Sequence, residues 1–435
     1  MSTPVTRWLD RAPSAVLVSW AAVASFGAYA CMYGFRKTFA AATFDGDVML
    51  PFAGALDLKI LYILAQVVGY ATSKFLGIKV VSELVPGRRA LALVACIGVA
   101  ELALVAFGLL PPGWAALAMV ANGLPLGMVW GLVFGFLEGR RSSDGLGAFL
   151  CASFIVASGF AKDVGKELLG RGVSEGWMPA TAGLLFLPPL LVFAWMLAQL
   201  PPPSAADEAV RSKRAPMDGA ARAAFWDAWA PGLVAIVSGY VLLTAYRDFR
   251  DNFAREIWDA LGFADTPGVM TNSELPIALG SLAAVGAVMA VRDNRAALAI
   301  LHAIMVGGAV LIGAATFAWQ AGWIAPEVWM ISVGLGLYLG YVPANCVLFD
   351  RLVAAAGSVA TAGFLIYVAD AYGYLGSCAL LFWKNFGSPE LSWLSFFATF
   401  SYVAAVGTAA TYAWAGVWMW RRTAGVAAPA SPAVE

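Results

Sequence analysis

The chain is poor in the residues that metal binding and catalysis usually draw on. It has one histidine, His302, and five cysteines, Cys31, Cys96, Cys151, Cys346 and Cys378, which all fall in apolar runs without paired spacing. That excludes a disulfide framework or a Cys/His metal centre and leaves buried free thiols. His302, among apolar neighbours, reads as a core histidine. There is no glycine-rich phosphate loop, no nucleophile elbow and no His-carboxylate cluster of the hydrolytic type. The sequence therefore reads as a non-enzyme that needs neither cofactor nor metal. Charge is equally scarce: 12% of residues, with 27 basic against 27 acidic side chains, which gives nucleic acid no basic face to bind.

What is abundant is apolar surface. At 61% hydrophobic residues and a mean hydropathy of +0.77, 435 residues describe a polytopic helical membrane protein and not a water-soluble globule. Runs of roughly 20 apolar residues, enough to cross a hydrocarbon core of about 30 Å, begin near positions 14, 55, 89, 114, 145, 179, 228, 274, 296, 325, 358 and 391. They predict twelve transmembrane helices, six to each half. The runs are continuously apolar, whereas barrel strands must alternate. Loops on the N-terminal side hold sixteen Lys and Arg residues, and the opposite side with its helix ends holds ten. This asymmetry predicts that both termini are cytoplasmic, as in a bacterial inner membrane. Span 1 contains Ala28-Tyr29-Ala30, which imitates a signal-peptidase site, but the run is long and leads straight into Phe35-Arg36-Lys37-Thr38-Phe39-Ala40, a phrase the chain repeats, so it reads as a retained span.

The two halves are duplicates. Phe35-Arg36-Lys37-Thr38-Phe39-Ala40 closes span 1 and Phe249-Arg250-Asp251-Asn252-Phe253-Ala254 closes span 7, an offset of 214. Gly123-Leu124-Pro125-Leu126-Gly127 against Gly336-Leu337-Tyr338-Leu339-Gly340 (offset 213) and Ala148-Phe149-Leu150 against Gly363-Phe364-Leu365 (offset 215) keep the same register. The expected organisation is a six-helix half at 1–200, a cytoplasmic linker at 201–226 opened by Pro201-Pro202-Pro203, a second half at 227–420 and a tail at 421–435. Such parallel halves resemble the major facilitator superfamily, whose halves rock about a site near the bilayer midplane. The loop carrying Ser82-Glu83 and Gly87-Arg88-Arg89 resembles a degenerate form of that superfamily's loop motif.

Charges within spans are the candidate site, because a buried ion in a membrane is expensive and marks a substrate or ion path. Each copy of the repeated phrase sets an arginine at a helix end. Arg36 and Lys37 are about 100° apart on a helix, so only one can point at the axis, and the repeat selects Arg36. Snorkelling to the interface is the alternative for such helix-end cations. In span 7, Arg247 and Arg250 share a face. Arg250 aligns with Arg36, Arg247 lies one turn deeper, and either could contact an anion while Asp251 holds the resting arginine. Lys74 lies near the end of span 2 and Glu274 opens span 8. Asp370 lies midway along span 11, where it must pair with a cation, line water or carry a proton.

These residues bring the chain close to one family: it resembles the organophosphate:phosphate antiporters. Tyr33-Gly34-Phe35-Arg36-Lys37-Thr38-Phe39-Ala40 is similar to their Tyr-x-x-Arg-Lys-Asn-Phe-Ala pattern, and Ser73-Lys74-Phe75 to their Ser-Lys-Phe. Glu274 stands six residues before Gly280, Tyr341 and Pro343 match Tyr-x-Pro, and Gly373-Tyr374-Leu375-Gly376 matches Gly-Tyr-Leu-Gly. The resemblance implies substrate binding by Arg36, Lys37, Lys74, Arg247 or Arg250, Tyr341 and Tyr374, with Asp251, Glu274 and Asp370 in coupling or gating. The chain departs from the pattern at Val156, where the family has a histidine, and at Asp370, an added acid.

The implied mechanism is alternating access by a secondary transporter. Two guanidinium forks suit the oxygens of one phosphate, and without an anion they repel, so the loaded carrier reorients more readily than the empty one. The expected substrate is a small organic anion, foremost a phosphorylated metabolite, in exchange for inorganic phosphate. The partners are then the lipid bilayer and that substrate, and a monomer is the expected state. Two other readings stay open: a proton-coupled carrier of a carboxylate or amphipathic product, and a transporter-like sensor of a sugar phosphate.

Overall fold

The computed structural model describes residues 3–50, 54–82, 84–137, 140, 143–204, 219–356 and 362–424, with some side chains inside helices left out. Apolar sequence and a solvent that cannot hydrogen-bond the backbone force helices, and among the described residues the regular structure is helical save one small hairpin. Its elements are α1 (Pro4–Arg11), α2 (Ser14–Arg36), β1 (Asp47–Leu50), β2 (Gly54–Asp57), α3 (Leu58–Ser82), α4 (Arg89–Leu109), α5 (Pro112–Leu137), α6 (Ser143–Gly170) and α7 (Met178–Ala198). The second half contributes α8 (Gly219–Asn252), α9 (Ala254–Ala260), α10 (Val269–Met289), α11 (Asn294–Gln320), α12 (Pro326–Cys346), α13 (Leu348–Ala356), α14 (Ala362–Phe382) and α15 (Trp393–Thr423). Among the described residues ten helices are long and apolar enough to cross a membrane. Helices α3 and α14 stand where the sequence places spans 2 and 11.

The hairpin is an addition to the expected all-helical pattern: β1 and β2 pair antiparallel between α2 and α3, Asp47 opposite Asp57 and Leu50 opposite Gly54. Residues 219–226, assigned to the linker from the sequence, belong to the start of α8. The basic residues Arg211, Lys213 and Arg214 and most of the tail lie outside the described residues.

Two compact units emerge. The first comprises Met1–Val210, Asp248–Ala278 and Cys378–Phe397, and the second Arg211–Arg247, Leu279–Ser377 and Ala398–Glu435. Helix α8 passes from the second unit into the first between Arg247 and Asp248.

Glycine sets how closely helices approach inside each unit, as the repeated Gly-rich motif suggests. A Cβ on Gly123 of α5 would come 2.2 Å from the Gln66 carbonyl of α3, and one on Gly69 would come 2.1 Å from the Val120 carbonyl. In the second unit Gly336 of α12 and Gly308 of α11 meet in the same way, each 2.4–2.5 Å from the other's carbonyl once given a Cβ. Small residues at such crossings let backbones touch and maximise dispersion contact, the main source of helix association in lipid. Gly123→Val is expected to force α3 and α5 apart and to lower stability by at least the ~1–3 kcal/mol typical of overpacking. Gly98→Ala, with nothing within 4 Å of the added carbon, is expected to leave the apparent melting temperature of the detergent-solubilised protein in place.

Candidate functional site

The two copies of the repeated phrase bind each other, and both lie in the first unit. Helix α2 stops at Arg36: Lys37 caps it, its N–H donating to the Tyr33 carbonyl, and Thr38–Ala41 turn into a short 3-10 helix. Thr38 Oγ1 donates back to the Gly34 carbonyl (2.9 Å). Helix α8 likewise stops at Asn252 and restarts as α9 after Phe253. The position at which the copies differ in charge, Lys37 against Asp251, is the position at which they pair. Lys37 Nζ lies 2.6 Å from Asp251 Oδ2 and donates to Asn252 Oδ1 at 2.8 Å.

A second lysine shares the same carboxylate. Lys162 of α6 reaches Asp251 Oδ1 at 2.6 Å and its backbone carbonyl at 2.9 Å, and Ser158, one turn earlier on the same face, donates its hydroxyl to Oδ1. Both ammonium groups are almost fully buried, Lys37 at 4% and Lys162 at 2% exposure. Burial holds the Lys37 ammonium below the ordinary lysine pKa, against the opposing pull of Asp251. The sequence reading gives Asp251 to a resting arginine; two lysines occupy it here. Lys162 and Lys59 entered that reading only among the helix-end cations. The signal for Lys162 is its spacing from Ser158, which places a hydroxyl and an ammonium on one face of α6.

Further pairs surround this centre. Arg250 lies 2.6 Å from Glu274 Oε1, both buried. Lys59 of α3, 1% exposed, pairs with Glu256 and donates to the Ala40 carbonyl at 2.9 Å, while Arg255 donates to the Ala41 carbonyl. Asp163 accepts from the Thr271 backbone N–H at 2.7 Å. Close approach of α6 to the start of α10 is possible because residue 159 is glycine: a Cβ there would come 2.6 Å from the Met270 carbonyl.

Arg36 is buried at 7% exposure with its guanidinium 3.9 Å from the centre of the Tyr70 ring. Its carbonyl, one of the last of α2 and so without a helical partner, accepts from Gln66 Nε2 at 3.0 Å. Gln66 also donates to Asn122 Oδ1 (2.8 Å), and Asn122 Nδ2 lies 3.2 Å from both the Phe35 and the Ala100 carbonyls. These buried amides, unmarked in the sequence reading, hold the arginine's backbone in place.

The second unit gathers a separate set. The Arg247 guanidinium lies 4.5 Å from the Tyr341 ring centre and donates to the Tyr341 hydroxyl. Tyr341 stacks on Tyr240 at 4.8 Å. Tyr240 donates its hydroxyl to Asp370 Oδ1 (2.6 Å) and accepts from Asn345 Nδ2 (3.0 Å). Asp370, mid-helix in α14, thus has a hydrogen-bond donor. Tyr374, one turn on, is buried at 5% exposure. Lys74 lies on α3, and its side chain is outside the described residues. His302 is buried, with Nδ1 2.8 Å from the Leu298 carbonyl.

A model of a family of unknown function, DUF5690, matches residues 38–422. No curated protein matches the chain by sequence. Among solved structures, a D-xylose-proton symporter is similar at 16% identity and TM-score 0.58, over 94% of this chain and 98% of that one. A bacterial homolog of the human lysosomal transporter Spinster, inward-facing and unoccupied, gives 12% and 0.55, over 94% and 98%. The nucleoside transporter NupG gives 14% and 0.56, over 93% and 99%. All three are transporters of the major facilitator type, and the likeness establishes that fold for this chain.

Removing one member of a buried ion cluster strands the others. Asp251→Asn leaves two buried ammonium groups facing a neutral amide, so a loss of about 3–5 kcal/mol is expected, visible as a drop in apparent melting temperature. The loss should be partly recovered in Asp251→Asn/Lys162→Met, because one of the stranded charges is gone.

Proposed function

This chain belongs to the family of unknown function DUF5690 and has the fold of major facilitator transporters, and from these we propose that it is an alternating-access secondary transporter of a small organic anion. The preferred substrate is a phosphorylated metabolite exchanged for inorganic phosphate across a bacterial inner membrane, with both termini cytoplasmic. It is a carrier and not an enzyme.

The observation that carries this reading is the charge gathered around Lys37. The buried cations Arg36, Lys37, Lys162 and Arg250 stand in one unit with Asp248, Asp251 and Glu274. Cations buried inside a membrane protein are costly and mark the path of an anion. Arg36 is the principal contact: a guanidinium on a tyrosine face keeps its in-plane N–H fork suited to phosphate oxygens. Lys37 and Arg250 act through their carboxylate partners, since an arriving anion competes with Asp251 and Glu274 for them. Such competition supplies the differential affinity by which a ligand shifts a carrier between states. Lys74 adds a further cation from α3. Within the second unit, Arg247, Tyr341 and Tyr374 are the residues assigned to substrate, the tyrosines as hydroxyl donors.

The Tyr240–Asp370–Asn345 network favours a second reading. A mid-membrane carboxyl with a hydrogen-bonded tyrosine is suited to proton coupling, as a carrier of carboxylates or amphipathic products would use.

Exchange of labelled inorganic phosphate into phosphate-loaded proteoliposomes tests the first reading. Arg36→Lys keeps the charge and loses the fork, and Arg250→Ala removes one partner of Glu274. Each is expected to slow exchange about 10- to 100-fold, the worth of a charge-assisted hydrogen bond of roughly 1.5–3 kcal/mol. Absence of phosphate exchange in well-folded wild type would move the assignment to the carboxylate carrier, and wild-type rates in Arg36→Lys would remove Arg36 from the site.

A further inference from the structure

One buried acid plays no part in the clusters described above. Glu101 lies twelve residues into α4, about 18 Å from its start at 1.5 Å per residue, and is 8% exposed. Both carboxyl oxygens are buried and have no hydrogen-bond partner among the described residues. Space for the group comes from Gly183 of α7: a Cβ there would come 2.0 Å from Glu101 Oε2 and 3.1 Å from the Phe35 ring. The carboxyl thus fills a slot made by a glycine, beside the residue that precedes Arg36.

The surroundings offer little counter-charge. Helices α2, α5 and α7 pack against α4. Helices α5 and α7 carry no charged residue, and α2 carries only Arg36, with Tyr29, Cys31 and Tyr33 as its other titratable groups. On α4 itself the others are Arg89, whose Nη1 donates to the Gly135 carbonyl, and Cys96. Glu175, just ahead of α7, accepts from the Thr43 and Phe44 backbone N–H groups. An ionised carboxylate in such a place costs several kcal/mol. A permanently neutral one still leaves its O–H and C=O unsatisfied, at about 1–3 kcal/mol each. An apolar side chain would avoid both costs.

The slot is also tied to the anion site. Asn122 Nδ2 sits 3.2 Å from the carbonyls of Phe35 and Ala100, the residues just before Arg36 and Glu101, and Gln66 joins Asn122 to the Arg36 carbonyl. One side-chain network therefore holds the backbones of the arginine and the acid together. We propose that Glu101 is a proton-binding site whose protonation is linked to anion occupancy at Arg36. An anion at Arg36 adds negative charge and disfavours ionised Glu101, so anion and proton are taken up together. When the anion leaves, the Glu101 O–H bond breaks, the electron pair stays on the carboxylate and the proton passes to water.

The linkage rests on the anion reading of Arg36, but the proton site can be tested without it. Infrared spectra of the purified protein are compared between wild type and Glu101→Gln across a pH series. The expected result is a protonated-carboxyl C=O band at neutral pH in wild type, absent from Glu101→Gln and lost as pH is raised. Identical spectra, or a band that persists throughout the pH range in which the protein stays folded, would overturn the proposal. Should Glu101→Gln not fold, Glu101→Asp serves: the same band must shift in frequency, and an unmoved band counts against it. In proteoliposomes, phosphate exchange by wild type should fall as pH rises and that of Glu101→Gln should be flat; matching pH profiles would refute the linkage. Lack of phosphate exchange in wild type would refute the phosphate assignment alone and leave the infrared result to decide the proton site.

Discussion

Asp251 is the charge on which the first unit's polar architecture depends. Alone, a carboxylate at that depth would be prohibitively costly, and so would Lys37 or Lys162. Together the three make the short contacts that can offset several kcal/mol of desolvation per ion. Two helix ends converge on it, α2 through Lys37 and α8 through Asp251 itself, and α6 contributes the third arm. Once these are joined, the other contacts are short consequences. The broken turn after Arg36 exposes the carbonyls of Ala40 and Ala41, and Lys59 and Arg255 cover them.

Lysine and arginine are used for different tasks in this structure. The buried lysines Lys37, Lys59 and Lys162 are point charges seated on carboxylates. Arg250 is likewise seated on Glu274, while Arg36 and Arg247 lie over tyrosine rings, at 3.9 and 4.5 Å from the ring centres. A cation on an aromatic face gains from the ring's quadrupole, and the guanidinium plane presents its donors edge-on. In the proposed anion site that edge is what would meet the oxygens of an oxyanion.

The membrane fold and its helix order were legible because hydropathy acts locally: a run of apolar residues must become a helix whatever lies around it. The breaks after Arg36 and after Asn252 were legible because the phrase occurs twice. Which charges meet was not. Asp251 and Lys162 are 89 positions apart, and nothing local marks them as partners, so the acid was assigned to the nearest arginines in sequence. Gln66 and Asn122 escaped notice for a related reason. Neutral amides do not stand out in an apolar run, and their role, satisfying the carbonyls at the end of another helix, exists only once that helix has stopped nearby. The β hairpin lay between two spans, where hydropathy carries no information.

Asp370 and Glu101 are acids within long apolar helices whose surroundings differ. Asp370 accepts a hydrogen bond from Tyr240, which is itself fixed by Asn345 and stacked against Tyr341. A carboxylate with such donors can be charged in the membrane, because the dipoles around it replace part of the water it has lost. Glu101 has Gly183 and a phenylalanine edge in place of donors, and the only means of removing its charge is a proton. Asp370 thus has a side-chain donor of its own, whereas Glu101 has none among the described residues. Its link to Arg36 runs through backbone and amide dipoles that already have fixed positions. A change in charge at one end is then felt at the other without any helix having to move.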